Sequence, residues 1–144
     1  MATLGTRFSS AVLLDVQSMD HRVLITDDDA DFRQTLSEVL LRRGYRTITA
    51  ADGLEALDVI EHGNIHLVLF DVHMPRLDGL GALESVRARL PRLPCILMSA
   101  QLDDRILAKA QQLHAEHVLP KPFSLADLVS SVRRLLDTAY GRDV

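Results

Sequence analysis

Three acids, Asp27, Asp28 and Asp29, stand close behind the apolar run Val23-Leu24-Ile25, and a fourth, Asp71, directly follows Leu67-Val68-Leu69-Phe70. Ser99 comes after Ile96-Leu97-Met98, and Lys121 comes shortly after Val118-Leu119. Each run reads as a short β-strand, so these acids, a hydroxyl and an amine fall at strand carboxyl ends. In an open parallel sheet that is the rim where ligands bind. If the first and third strands are neighbours, Asp27, Asp28 and Asp71 lie within a few ångströms of one another. Each close pair then repels by about 4 kcal/mol at an effective dielectric of about 20. A hard divalent cation answers such charge, and Mg²⁺ binds through one or two carboxylates together with a substrate phosphate. A carboxylate can itself be the nucleophile in phosphoryl transfer. Asp71 is the natural nucleophile, with Lys121 and Ser99 available to the phosphoryl oxygens. A calcium loop of the helix-loop-helix kind fits poorly, because Asp27-Asp28-Asp29 lacks the alternating acids, central Gly and closing Glu.

The elements that must position these residues are legible from His21 onward. Short apolar runs, including Thr47-Ile48-Thr49-Ala50, alternate with segments of helical period, the pattern of a parallel sheet wrapped by helices. Several runs are apolar on consecutive residues, as strands covered on both faces are. The first helix buries Phe32, Leu36, Val39 and Leu40, and the last buries Leu125, Leu128, Val129, Val132, Leu135 and Leu136, both at helical spacing. Between them the pattern predicts helices near 53–62, 78–89 and 103–113. Ser124 with Asp127 three residues later marks a helix start. Asp29 or Asp31 caps the first helix, and Asp78 is a helix-start residue rather than a ligand. Gly44, Gly53, Gly63 and Gly79 punctuate the joints. Residues 1–20 lie outside the pattern. They are either a loosely attached tail or, through Phe8, Val12 and Val16, a docking segment.

A chain of 144 residues suits one domain, expected over 21–140 with a short tail at 141–144. It is 47% hydrophobic and 25% charged with a net charge of −4, which excludes disordered and collagenous classes. Its Lys and Arg residues are scattered rather than arrayed in a stripe, which argues against direct nucleic-acid binding. The lone Cys95 allows no internal disulfide and no thiolate metal cluster. It reads as a small core or rim residue, and a reducing cytoplasm is the simplest location. No apolar run reaches membrane-spanning length.

The chain resembles the receiver domains of bacterial two-component response regulators over residues 21 to about 139. The resemblance rests on five segments in order: Val23-Leu24-Ile25-Thr26-Asp27-Asp28-Asp29, Ala51-Asp52-Gly53-Leu54-Glu55-Ala56-Leu57, Asp71-Val72-His73-Met74-Pro75-Arg76-Leu77-Asp78-Gly79, Met98-Ser99-Ala100 and Pro120-Lys121-Pro122-Phe123. It implies a flavodoxin-like, doubly wound (βα)5 fold with a five-stranded parallel sheet in the order 2-1-3-4-5. It also implies a switch rather than an enzyme acting on an external substrate, catalysing only its own phosphorylation and dephosphorylation. Asp71 would be phosphoacceptor and metal ligand, Asp28 the main Mg²⁺ carboxylate, and Asp27 a helper directly or through water. His73 would lend its backbone carbonyl to the metal. Ser99 would turn toward the phosphoryl group, Lys121 would contact it, and Lys121-Pro122 would be cis. The implied partners are a sensor histidine kinase or histidine phosphotransfer protein, and a downstream protein or second copy reading the face made by the fourth helix, fifth strand and fifth helix.

The chain departs from the family pattern at two places. Val118 stands where an aromatic ring often swings inward, and His114 stands where glycine is frequent, so a different turn is expected there. The resemblance also implies that His73 and Gln101, two residues past Asp71 and Ser99, occupy positions that flank an attacking water. A rival is an aspartate-nucleophile phosphohydrolase, but such enzymes place a second Asp where His73 stands. A pseudo-receiver serving only as a binding module is opposed by the complete set of acids, hydroxyl and lysine.

Overall fold

The five apolar runs form β1 (Arg22–Thr26), β2 (Arg46–Ala50), β3 (Leu67–Asp71), β4 (Cys95–Ser99) and β5 (His117–Pro120). In the computed structural model, which describes residues 20–141, they pair in parallel in the order β2-β1-β3-β4-β5. The expected N-terminal segment, including Phe8, Val12 and Val16, and the tail from residue 142 lie outside the described residues. Between the strands run α1 (Ala30–Arg42), α2 (Gly53–Gly63), α3 (Gly79–Arg89) and α4 (Asp104–Gln112), and α5 (Leu125–Tyr140) closes the order. These bounds match the sequence expectations to within a residue or two, and the fold is the flavodoxin-like one.

Adjacent strand residues feed two separate cores, as a period of two requires. Leu24, Val68, Phe70 and Leu97 face α2, α3 and α4 through Ala56, Leu83, Val86 and Ile106. Val23, Ile25, Leu67, Leu69, Ile96 and Met98 face α1 and α5 through Leu36, Leu40, Leu128, Val132 and Leu136. Every residue of β3 and β4 is buried, which explains their unbroken apolar runs. Each fully buried large side chain contributes roughly 1.5–3 kcal/mol, so the central strands are the least yielding part of the sheet.

Each helix begins at the strand carboxyl rim with a side-chain cap. Asp29 Oδ1 accepts from the N–H groups of Asp31 and Phe32, both at 3.1 Å, so Asp29 is the α1 cap. Asp78 accepts from Gly81 N–H at 2.8 Å and Ser124 from Asp127 N–H at 3.0 Å, as expected. Asp52 and Asp103 cap α2 and α4 in the same way. Such caps contribute about 1 kcal/mol each, and the helix starts they mark are partially positive. His114 keeps the turn that glycine would make, with φ at 56°, in a helix-ending motif where its N–H donates to the Gln111 carbonyl and Ala115 N–H to the Ala110 carbonyl, both at 3.0 Å. Arg87 Nη2 donates to the His114 carbonyl at 2.9 Å. The expectation of a different turn is thereby corrected.

Candidate functional site

The end of β1 delivers Asp27 fully buried and Asp28 exposed, and the end of β3 delivers Asp71 with 6% of its surface exposed. Because β1 and β3 are hydrogen-bonded neighbours in register, one carboxylate oxygen from each of Asp27, Asp28 and Asp71 lies within 4.8 Å of the others. Lys121 arrives from the end of β5. Its Nζ donates to Asp27 Oδ2 at 2.7 Å and stands 3.4 Å from Asp71 Oδ1. The Lys121–Pro122 peptide is cis. Asp27 Oδ1 accepts from Asp29 N–H at 2.9 Å, so both oxygens of this buried acid are engaged.

Three carboxylates meet one ammonium here, and the electrostatics show the shortfall. Burial, then the charge of Asp27, pushes the Asp71 carboxyl up to about 6 despite the opposing pull of Lys121. Burial also works against the Lys121 ammonium, but Asp27 and Asp71 outweigh it and raise its pKa. The donor set is all oxygen, partly buried and negative, and one acid is open to solvent. That is the chemistry of a site for a hard cation that keeps part of its water shell, so the residues fit Mg²⁺.

The remaining candidates differ in how far they are buried. Ser99 ends β4 and is 1% exposed, with its Oγ accepting from Gln101 N–H at 3.1 Å. The His73 side chain is exposed and lines a cleft between α3 and α4 with Asp78, Glu84 and Asp103. Gln101 is exposed, and Val118 packs partly buried beside the α2–α4 core. Cys95 is wholly buried and its thiol is pushed up to about 12, chiefly by desolvation, which leaves it inert.

Three residues that the sequence did not single out belong to this rim. The Lys121 ammonium sits 4.4 Å from the centroid of the Phe32 ring, which meets Phe123 edge-on at 5.8 Å. Phe32 had been legible only as part of the buried face of α1. Arg33 Nη1 donates to the Asp27 carbonyl at 2.6 Å. Arg76, in the loop after β3, donates through Nε to Asp52 Oδ2 at 2.8 Å. No local pattern could have found these, because each pairs residues from different βα units or depends on which way a side chain turns.

The family model described as the response regulator receiver domain matches residues 23–133. Response regulator MprA of Mycobacterium sp. (strain KMS) is 38% identical over 120 residues, covering 82% of this chain and 51% of that protein. The chain therefore spans about half the length of such curated relatives. A CheY-like receiver domain protein from Methanospirillum hungatei JF-1 superposes with a TM-score of 0.80 at 27% identity, covering 83% of this chain and 95% of that one. The response regulator TrrA of Thermotoga maritima, solved in complex with Mg(2+)-BeF, superposes with a TM-score of 0.74 at 31% identity, covering 80% and 98%. With the parallel five-stranded order and acids on its rim, this chain belongs to the response regulator receiver domain family.

Proposed function

We propose that the chain is a phosphorylation switch in which Asp71 takes a phosphoryl group from phosphohistidine on a sensor histidine kinase or phosphotransfer protein. The observation that carries this reading is the approach of Asp27, Asp28 and Asp71 to within 4.8 Å beside an ammonium that already touches two of them. An Asp71 oxygen attacks phosphorus in line as the P–N bond breaks, and the departing imidazole takes up a proton. Asp27, Asp28, Asp71 and the His73 carbonyl would hold Mg²⁺, which when bound neutralises charge on the transferring phosphoryl oxygens. Lys121 exchanges its contact with Asp71 for one with a phosphoryl oxygen. The Ser99 hydroxyl donates its proton to another. Water later cleaves the acyl phosphate, with His73 and Gln101 flanking its approach. The chain thus turns over only its own phosphate.

Both Ser99 and Lys121 close strands on one side of the sheet, so their new contacts bias the arrangement of α4, β5 and α5. A downstream protein or a second copy reads that face. Val118 offers no ring to swing inward, so the response there is carried by the backbone beyond Ser99 and Lys121. Among the described residues no helix is long and apolar enough to cross a membrane.

Incubation with a small acyl phosphate, with and without Mg²⁺, tests the reading. Parent protein is expected to gain one phosphoryl group by intact mass only with Mg²⁺, and Asp71→Asn none. Equal labelling of the two would reject Asp71 as acceptor. Steady phosphate release from a simple phosphomonoester would instead favour the hydrolase reading.

A further inference from the structure

The loop between β3 and α3 carries His73 and must hold its backbone still at the rim, yet it is seven residues long from Val72 to Asp78. Its own bonds are few: Leu77 N–H to the Pro75 carbonyl at 2.8 Å and Gly79 N–H to the Val72 carbonyl at 3.0 Å. Val72 N–H ties the near end of the loop to the Met98 carbonyl of β4 at 2.8 Å, and the far end is anchored at the start of α2, in a different βα unit. Gly53 N–H donates to the Leu77 carbonyl at 3.0 Å, and a Cβ at Gly53 would strike that same carbonyl oxygen. Next to it, Arg76 lays both Nε and Nη2 on Asp52 Oδ2, each at 2.8 Å. Asp52 Oδ1 is already committed to capping α2 through Glu55 N–H at 2.9 Å, so the carboxylate cannot swing to follow the loop.

Arg76 itself has φ at 67°, a conformation that side chains with a Cβ seldom adopt. Backbone of this kind persists where surrounding contacts over-determine it, and here the Leu77 N–H to Pro75 carbonyl bond that closes a tight turn over Arg76 is joined by the fork onto Asp52. The pairing is lopsided in exposure: the Arg76 side chain is 59% exposed and the Asp52 side chain 10%. An ion pair open to solvent on one side adds little to global stability. What it can do is choose one loop conformation from several of similar energy.

We infer that Arg76 and Asp52 form a clamp that positions the β3–α3 loop for divalent-cation binding at the Asp27–Asp28–Asp71 site, with Arg76 a positioning residue that touches neither metal nor phosphoryl group. The inference rests on the proposed Mg²⁺ site, since the clamp acts through the loop that presents the His73 carbonyl. Groups that orient metal ligands from outside the coordination sphere commonly change affinity by an order of magnitude.

Calorimetric Mg²⁺ titration of the whole chain, with thermal unfolding on the same samples, tests it. Arg76→Gly removes the guanidinium while easing the positive φ, and Asp52→Ser keeps a capping hydroxyl while removing the charge. Each is expected to bind Mg²⁺ about 10-fold more weakly with little change in Tm. The double variant is expected to be no weaker than either alone, because both break one contact. Arg76→Lys, which keeps charge and one donor, is expected to fall between. Parent-like Mg²⁺ affinity in Arg76→Gly overturns the clamp, as does affinity loss that merely tracks loss of Tm. A parent chain that takes up no Mg²⁺ overturns the metal-site reading and the clamp with it, so the two failures are distinguishable.

Discussion

The two rims of the sheet handle charge in opposite ways. At the carboxyl rim, Asp27 and Asp71 are buried near each other with a single ammonium between them, and the Asp71 carboxyl rises to about 6. At the amino rim, buried and half-buried polar groups are matched donor to acceptor. Arg87, whose side chain is 10% exposed, donates to the carbonyls of Leu113, Leu93 and His114 and to Glu116 at 2.7–2.9 Å. Glu116 in turn accepts from Cys95 N–H at 2.8 Å. Beyond it, His66 Nδ1 accepts from Arg22 N–H at 2.9 Å while the Tyr140 hydroxyl donates to the His66 carbonyl at 2.8 Å. One rim is satisfied and serves stability. The other keeps unbalanced charge that a cation and a phosphoryl group can resolve.

If that contrast holds, substitutions at the two rims must move stability in opposite directions. Arg87→Ala should show the largest effect, a loss of about 3 kcal/mol by chemical denaturation, because it strands Glu116 and several carbonyls. A loss under about 1 kcal/mol would mean that water replaces the guanidinium readily. Asp71→Asn should do the reverse and raise stability by about 2 kcal/mol at pH 7, since a carboxyl shifted from 3.8 to about 6 corresponds to about 3 kcal/mol and solvent at the open rim screens part of it. Its folded pKa lies above its unfolded one, so the ionised group weakens the fold as pH climbs from about 3.8 to about 6. The advantage of Asp71→Asn should therefore shrink toward zero when unfolding is measured near pH 4, and a gain constant across that range would refute the electrostatic cause.

A smaller effect sharpens the comparison on the acidic side. Among the described residues Thr26 Oγ1, next to Asp27, is the one buried side-chain polar atom without a partner. Thr26→Val keeps the shape and removes the orphan hydroxyl, so a gain of about 1 kcal/mol is expected in the same denaturation experiment. The least effect should come from His66. Burial, then the charges of His21 and Arg22, lowers its pKa below 6.5, with Asp20 opposing. The neutral ring that accepts from Arg22 N–H is the folded form, so its contribution is full above pH 6.5 and fades as pH falls. Stability of His66→Asn should depend less on pH than the parent's below 6.5, and identical profiles would remove His66 from the account.

Strands, helices and the chemically active residues at strand ends could all be read from residue types and their spacing. Periodicity follows directly from which faces a strand or helix buries, and strand ends follow from where the apolar runs stop. Asp27, Asp28, Asp71, Ser99 and Lys121 were legible because each sits at such a stop. Tertiary structure alone decided what those side chains touch. Lys121 chooses Asp27 across 94 positions of chain and lies over Phe32. Arg76 finds Asp52, and Arg87 reaches the His114 carbonyl across 27 positions of chain. Such contacts depend on the spacing between packed elements and on the direction each side chain leaves the backbone, and neither quantity is carried by a local pattern of residue types.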